Sequence, residues 1–185
     1  VDSTIQIVCQ NGIQHSEEEI MKSIFTIGYE GSNIDDFIAT LKAAGVEVLA
    51  DVRDVTVSRK KGFSKNGLRD RLAENGIEYF HAKGLGDPKP GREAARRGDY
   101  NEFRRVFGAH MRTDTARSAF GELTKVAEEK LTCLMCFEHD PSTCHRRIVA
   151  NQLKDYDFKP FDLFVDKKDR YERSRERMPR HNFSQ

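Results

Sequence analysis

From Ser23 onward, short apolar runs alternate with stretches in which apolar residues recur every three or four positions. "IFTIG" (24–28) predicts a buried strand, and Ile34, Phe37, Ile38 and Leu41 then fall at helical spacing before Gly45. "VEVLADV" (46–52) predicts the next strand, and "SKNGLRDRLAENG" a second helix with Ser64 as cap and Gly76 as terminator. A third strand, "IEYFHA" (77–82), leads into "KGLGDPKPGREAARRG", where glycines and prolines predict a long loop. Helical stretches near 99–110 and 113–129, a strand "LTCLMCF" (131–137) and a helix in "CHRRIVANQLK" complete the order β-α-β-α-β-α-α-β-α. Parallel neighbours need crossover connections. The order therefore predicts a Rossmann-like α/β single domain: a mostly parallel sheet of four or five strands with helices on both faces.

Composition limits this picture without naming a partner. In 185 residues, 31 basic and 30 acidic groups nearly cancel, and the apolar fraction is 37%. The ends differ, however. Residues 1–22 form an acidic extension (Asp2, Glu17, Glu18 and Glu19 against Lys22), and 166–185 a basic polar tail, leaving 23–165 for the domain. Four cysteines with no apolar leader predict reduced thiols in a cytoplasmic protein. No run approaches the roughly 18 apolar residues of a membrane span.

Ligands of open parallel sheets bind outside the carboxyl ends of the strands. Those ends carry Gly28-Tyr29-Glu30-Gly31, Asp51-Val52-Arg53-Asp54, His81-Ala82-Lys83-Gly84 and Cys136-Phe137-Glu138. Asp51 and Arg53 suit either a structural ion pair or a site; His81 alone reads as a satisfied histidine. Cys133-x2-Cys136-x7-Cys144-His145 offers four soft metal ligands, but Cys133 and Cys136 sit three apart on one strand and face opposite sides. No metal and no cofactor is expected.

A thiol site is the stronger reading. Cys136 and Cys144 are candidate nucleophiles, and His145, Glu138 and Asp51 candidate acid/base groups, although adjacent helical residues point about 100 degrees apart, so Cys144 and His145 need not touch. Asp140, Ser142 or Thr143 can cap the last helix, and the amides of 143–146 with Arg146 or Arg147 then form an anion cradle. Arg53, and Arg59, Lys60 and Lys61 with Phe63, extend a positive rim that can hold phosphate and stack a base.

"TIGYEG", "DVRDVTVSR" followed by "FSK", "GIEYFHAKGLG" and "CFEHDPSTCHRR" together resemble the family known as domain of unknown function 488, over about Ile24 to Leu153. The resemblance implies a compact α/β domain but no reaction. It singles out Asp51, Arg53, Ser58, Arg59, Cys136, Glu138, Cys144, His145 and Arg146, and leaves Cys133 outside the pattern. Many members carry histidine and serine or threonine where this chain has Tyr29 and Glu30, proline at Thr56, and "LGG" where "LGD" stands here. Tyr29 and Glu30 are accordingly taken as substrate-binding positions.

The expectation is an enzyme, a hydrolase or transferase with acid/base or thiol chemistry, acting on an anionic, phosphate-bearing substrate, with nucleotide or nucleic-acid base processing favoured. The alternatives are a non-catalytic nucleic-acid or nucleotide-binding module that uses the same rim plus the tail, and a thiol-based redox protein.

Overall fold

The computed structural model describes residues 22–165. Of the acidic extension 1–22, residues 1–21 lie outside the described residues and Lys22 opens the first strand; the basic tail 166–185 also lies outside them. Five strands form one all-parallel sheet: β1 (Lys22–Gly28), β2 (Val48–Asp51), β3 (Glu78–His81), β4 (Thr132–Cys136) and β5 (Phe158–Phe164), in the order β3-β2-β4-β1-β5. The helices are α1 (Ile34–Ala43), α2 (Lys65–Ala73), α3 (Lys89–Arg96), α4 (Tyr100–His110), α5 (Asp114–Glu129) and α6 (His145–Gln152). Among the described residues no helix is long and apolar enough to cross a membrane.

The strand order sorts the helices. The chain moves one way along the sheet from β1 to β2 to β3, then reverses to β4 and β5. Right-handed crossovers therefore put α1 and α2 on one face and α3 to α6 on the other. The core follows. Phe37, Leu41, Leu68 and Leu72 pack with Phe25, Ile27, Cys133 and Met135, whereas Phe103, Phe107, Leu123 and Val149 pack with Ile24, Leu134 and Cys136. The alternation along β4 places Cys133 and Cys136 on opposite faces, as strand geometry requires. At the reversal, the ends of β1 and β4 lie side by side, with Gly28 paired to Cys136.

Two elements differ from the sequence reading. α3 occupies what reads as loop, because Pro88 is its N-cap and Pro90 lies in the first turn, where no backbone donor is needed. β5, absent from the predicted order although a fifth strand fits the predicted sheet, carries Pro160 and Asp162; it pairs only with β1, and an edge strand tolerates proline. Ser64 holds the N-cap position of α2 without capping by its side chain. Its hydroxyl instead accepts from the Ser58 amide (3.0 Å) and donates to the Ser58 carbonyl (3.1 Å).

Gly28 lets the loop after β4 cross directly above β1, since a Cβ there would lie 1.8 Å from the Glu138 carbonyl oxygen. Backbone of this kind cannot rotate aside. Gly28→Ala is expected to destabilise the fold by about 1–3 kcal/mol, as for overpacked cores, read as a lower urea midpoint.

Candidate active site at the carboxyl edge of the sheet

The segment after β4 is held by Arg146. Its fully buried guanidinium donates to the carbonyls of Glu138 and His139 (3.1 Å for the latter) and to the Thr26 hydroxyl (3.3 Å). The side chain expected to hold an anion is therefore committed to the backbone, and it does not line the cavity described below. Asp140 caps only the short 3-10 turn Pro141–Thr143, accepting from the Ser142 amide at 2.8 Å. α6 takes Cys144 as its N-cap, with no side-chain cap bond.

That position resolves the geometry of the adjacent pair. Cys144 is extended (φ −121°, ψ 142°), so the helical 100-degree offset does not apply to it. Cys144 Sγ lies 3.9 Å from His145 Nδ1, and Cys136 Sγ lies 3.7 Å from the same nitrogen. His145 Nε2 bonds the Val52 carbonyl just past β2 at 2.8 Å, and Phe107 packs on the ring at 5.2 Å. Two thiols and one imidazole meet where β4, α6 and β2 converge.

Arg53 is built from the other side. Asp51, fully buried at the end of β2, accepts from Arg53 Nε (2.8 Å), Arg53 Nη2 (2.6 Å), the Arg53 amide (3.1 Å) and the Tyr79 hydroxyl (2.7 Å). Arg53 Nη1 donates to the Tyr29 hydroxyl (2.9 Å) and the Phe63 carbonyl (3.0 Å). Asp51 thus aims Arg53 from behind the cavity wall, its lone pairs occupied. Phe63 is fully buried and stacked under Tyr29 at 4.4 Å, which removes it as a surface for a base. Ser58 accepts from the Tyr29 hydroxyl at 3.4 Å, Arg59 is exposed, and both lie outside the cavity wall. His81 is satisfied by the Arg53 carbonyl at 3.0 Å.

A cavity of about 570 Å³ joins these groups. Tyr29, Glu30, Arg53, Cys136, Glu138, Cys144 and His145 line it, as do Asp54, Asp87, Lys89, Arg92 and Arg96, which sequence reasoning missed. The acidic position in "LGD" was the available signal; the prolines beside it concealed that α3 begins there. Arg92 donates to Asp54 (2.8 Å) and to the Asp87 carbonyl. Among the described residues, two buried carboxylate oxygens, Asp87 Oδ1 and Glu138 Oε2, have no hydrogen-bond partner. Val55, Val57 and Phe137 give the mouth an apolar, exposed rim.

Burial and mutual charge separate the acidities. Burial opposes ionisation of Cys144, but a hydrogen bond from Cys136 and the positive charge of His145 outweigh it and hold the thiol well below its ordinary range. Burial likewise disfavours a charged His145, yet the Cys144 thiolate draws it up to about 9. Cys136 is pushed up by burial and by the neighbouring sulfur. Burial, then the charge of Cys144, raises Glu138 to about 7, and burial raises Asp87 to about 6. These shifts favour the thiolate at Cys144 and the protonated thiol at Cys136.

Two outcomes follow from these contacts. A depressed thiol is ionised above its own pKa and loses its thiolate only as pH falls through that value. Iodoacetamide labelling of Cys144, followed by peptide mass spectrometry, should therefore already be on its plateau at about pH 7, with Cys136 unlabelled; a rate still climbing near pH 8.5, the ordinary thiol range, would show otherwise. Asp51→Ala leaves the Arg53 charge buried and uncompensated, and should lower stability by about 3–5 kcal/mol in urea unfolding. Asp51→Leu combined with Arg53→Met should recover much of that loss.

The family described as Domain of unknown function DUF488 matches residues 33–153, from the N-cap of α1 through the end of α6, about two thirds of the chain. β1 and β5 lie outside the matched span. Comparison with curated proteins and with solved structures finds no match. With more than half of its length matched, including the segments that carry Arg53, Asp87, Cys136, Cys144 and His145, this chain belongs to the DUF488 family.

Proposed function

We propose that the protein is a thiol enzyme, a hydrolase or transferase in which Cys144 attacks an anionic, phosphate-bearing substrate, with nucleotides or a nucleic-acid base as the favoured class. The observation that carries this reading is the contact of Cys144 Sγ with His145 Nδ1 at 3.9 Å on the wall of a cavity that also holds Arg53. A thiolate beside an imidazolium is the reactive form of cysteine. The cavity volume lies within the range of small-molecule sites. Arg53, Lys89 and Arg96 supply positive charge, and Tyr29, Phe137, Val55 and Val57 an apolar wall for a flat group.

The chemistry divides among the residues as follows. Cys144 sulfur bonds the electrophilic centre while the leaving group departs with the proton of Glu138, whose acidity near 7 suits both donation and return. Water, deprotonated by the resulting Glu138 carboxylate, then releases the product and restores the thiolate. Free thiols suit a reducing, cytoplasm-like compartment. The binding-module alternative keeps the basic loop 59–61, with Arg59 and Lys61 exposed, but has lost Phe63 as its stacking ring.

The full chain should be incubated with nucleoside phosphates, sugar phosphates and short single-stranded oligonucleotides, following products and cysteine adducts by mass spectrometry. Turnover or adduct should vanish in Cys144→Ala, and Glu138→Gln should lower kcat by about 10²–10⁴. Turnover that survives Cys144→Ala overturns the thiol step. Oligonucleotide binding without turnover, weakening steeply with salt and on removal of 166–185, would favour the binding module.

A further inference from the structure

Cys136 Sγ, Cys144 Sγ and one ring nitrogen of His145 all lie within 4.8 Å of one another, with both sulfur–Nδ1 separations below 4 Å. A tetrahedral zinc ion, bonded at about 2.3 Å to sulfur and about 2.0–2.1 Å to nitrogen, sets sulfur–nitrogen edges of about 3.6 Å and sulfur–sulfur edges of about 3.8 Å. The observed cluster needs side-chain shifts of no more than about 1 Å to meet them. His145 is also oriented as a ligand. Its Nε2 donates to the Val52 carbonyl at 2.8 Å, so that on loss of the Nδ1 proton the Nδ1 lone pair faces the sulfurs.

All three residues line the cavity, so an ion can reach them from the space where substrate would sit. Cys133 takes no part. It is buried in the core on the opposite face of the sheet, as its spacing from Cys136 predicts, which excludes a four-ligand knuckle but leaves the three-ligand set intact.

We propose that Cys136, Cys144 and His145 form a binding site for a thiophilic divalent cation, zinc foremost, with an open fourth position, and that its occupancy withdraws the Cys144 sulfur from nucleophilic use. The first half stands whether or not Cys144 is a nucleophile; the second half rests on the thiol-enzyme reading. Binding releases two protons, one from Cys136 and one from the Cys144–His145 pair, so two thiolates and a neutral imidazole face the ion.

The test is titration of the reduced, chelator-treated full chain with Co²⁺. One equivalent should produce the intense visible bands of tetrahedral cobalt and a sulfur-to-cobalt charge-transfer band, both abolished by Zn²⁺. Cys136→Ala and Cys144→Ala, checked for folding by circular dichroism, should each bind roughly tenfold or more weakly, while Cys133→Ala and Cys9→Ala retain the signal. Substoichiometric binding to the parent chain, or unchanged affinity in Cys136→Ala, overturns the site. Iodoacetamide labelling separates the two ideas: Cys144 should label in the metal-free chain and be protected by Zn²⁺. Labelling equally fast with bound zinc overturns the second half, whereas an ordinary, slow thiol in metal-free protein with the cobalt spectrum intact overturns the enzyme reading alone.

Discussion

The candidate site depends on a buried guanidinium that never reaches it. Arg146 has no solvent exposure, and its donors go to the carbonyls of Glu138 and His139 and to Thr26, which in turn donates to Asp162 on β5 at 2.7 Å. A buried charge without such partners would be strongly destabilising. The loop after β4 takes a conformation that satisfies Arg146, and Gly28 provides the clearance for it. Glu138 and the start of α6 are placed by the same contact. The part of the cavity wall that carries Glu138 and Cys144 thus depends on satisfying one arginine from within.

Arg53 obeys the same logic with a different outcome. Its desolvation is offset by Asp51, which keeps the guanidinium charged, but Tyr29, Phe63 and the Asp51 carboxylate do not enclose it completely, and it remains part of the cavity wall. Asp51 in turn raises the Tyr79 hydroxyl, after burial itself, so Tyr79 stays a neutral donor. One buried arginine shapes a loop; the other is presented by a carboxylate.

The alternation of elements was legible in the sequence because strands buried on both faces appear as continuous apolar runs, and "IFTIG", "VEVLADV" and "LTCLMCF" are such runs. The strand ends that carry polar groups were legible for the same reason: the runs stop at Tyr29, Asp51 and Cys136. Partnership was not legible. Charge alone does not say whether Arg146 meets an anion or two carbonyls, or whether Phe63 faces a base or Tyr29. The Cys144–His145 contact escaped because it depends on which residue is the N-cap, a matter of one position decided by the 3-10 turn before it. Asp87 escaped because Pro88 and Pro90, usually breakers, here begin a helix.

Desolvation alone would favour the protonated forms of Cys136, Cys144, Glu138 and Asp87. The cluster instead favours a negative charge on Cys144, where a hydrogen bond from Cys136 and the imidazolium of His145 outweigh burial. That charge adds to burial in raising Cys136 and Glu138, and against burial it raises His145. The acidities belong to the group and not to its members. Remove the charge, by alkylation or by substitution, and Glu138 loses a repulsive neighbour and His145 its counter-ion, so their acidities move toward those that burial alone would set. A nucleophile and a proton donor of opposite protonation therefore coexist within one buried cluster, the division of roles that acid/base catalysis at neutral pH requires.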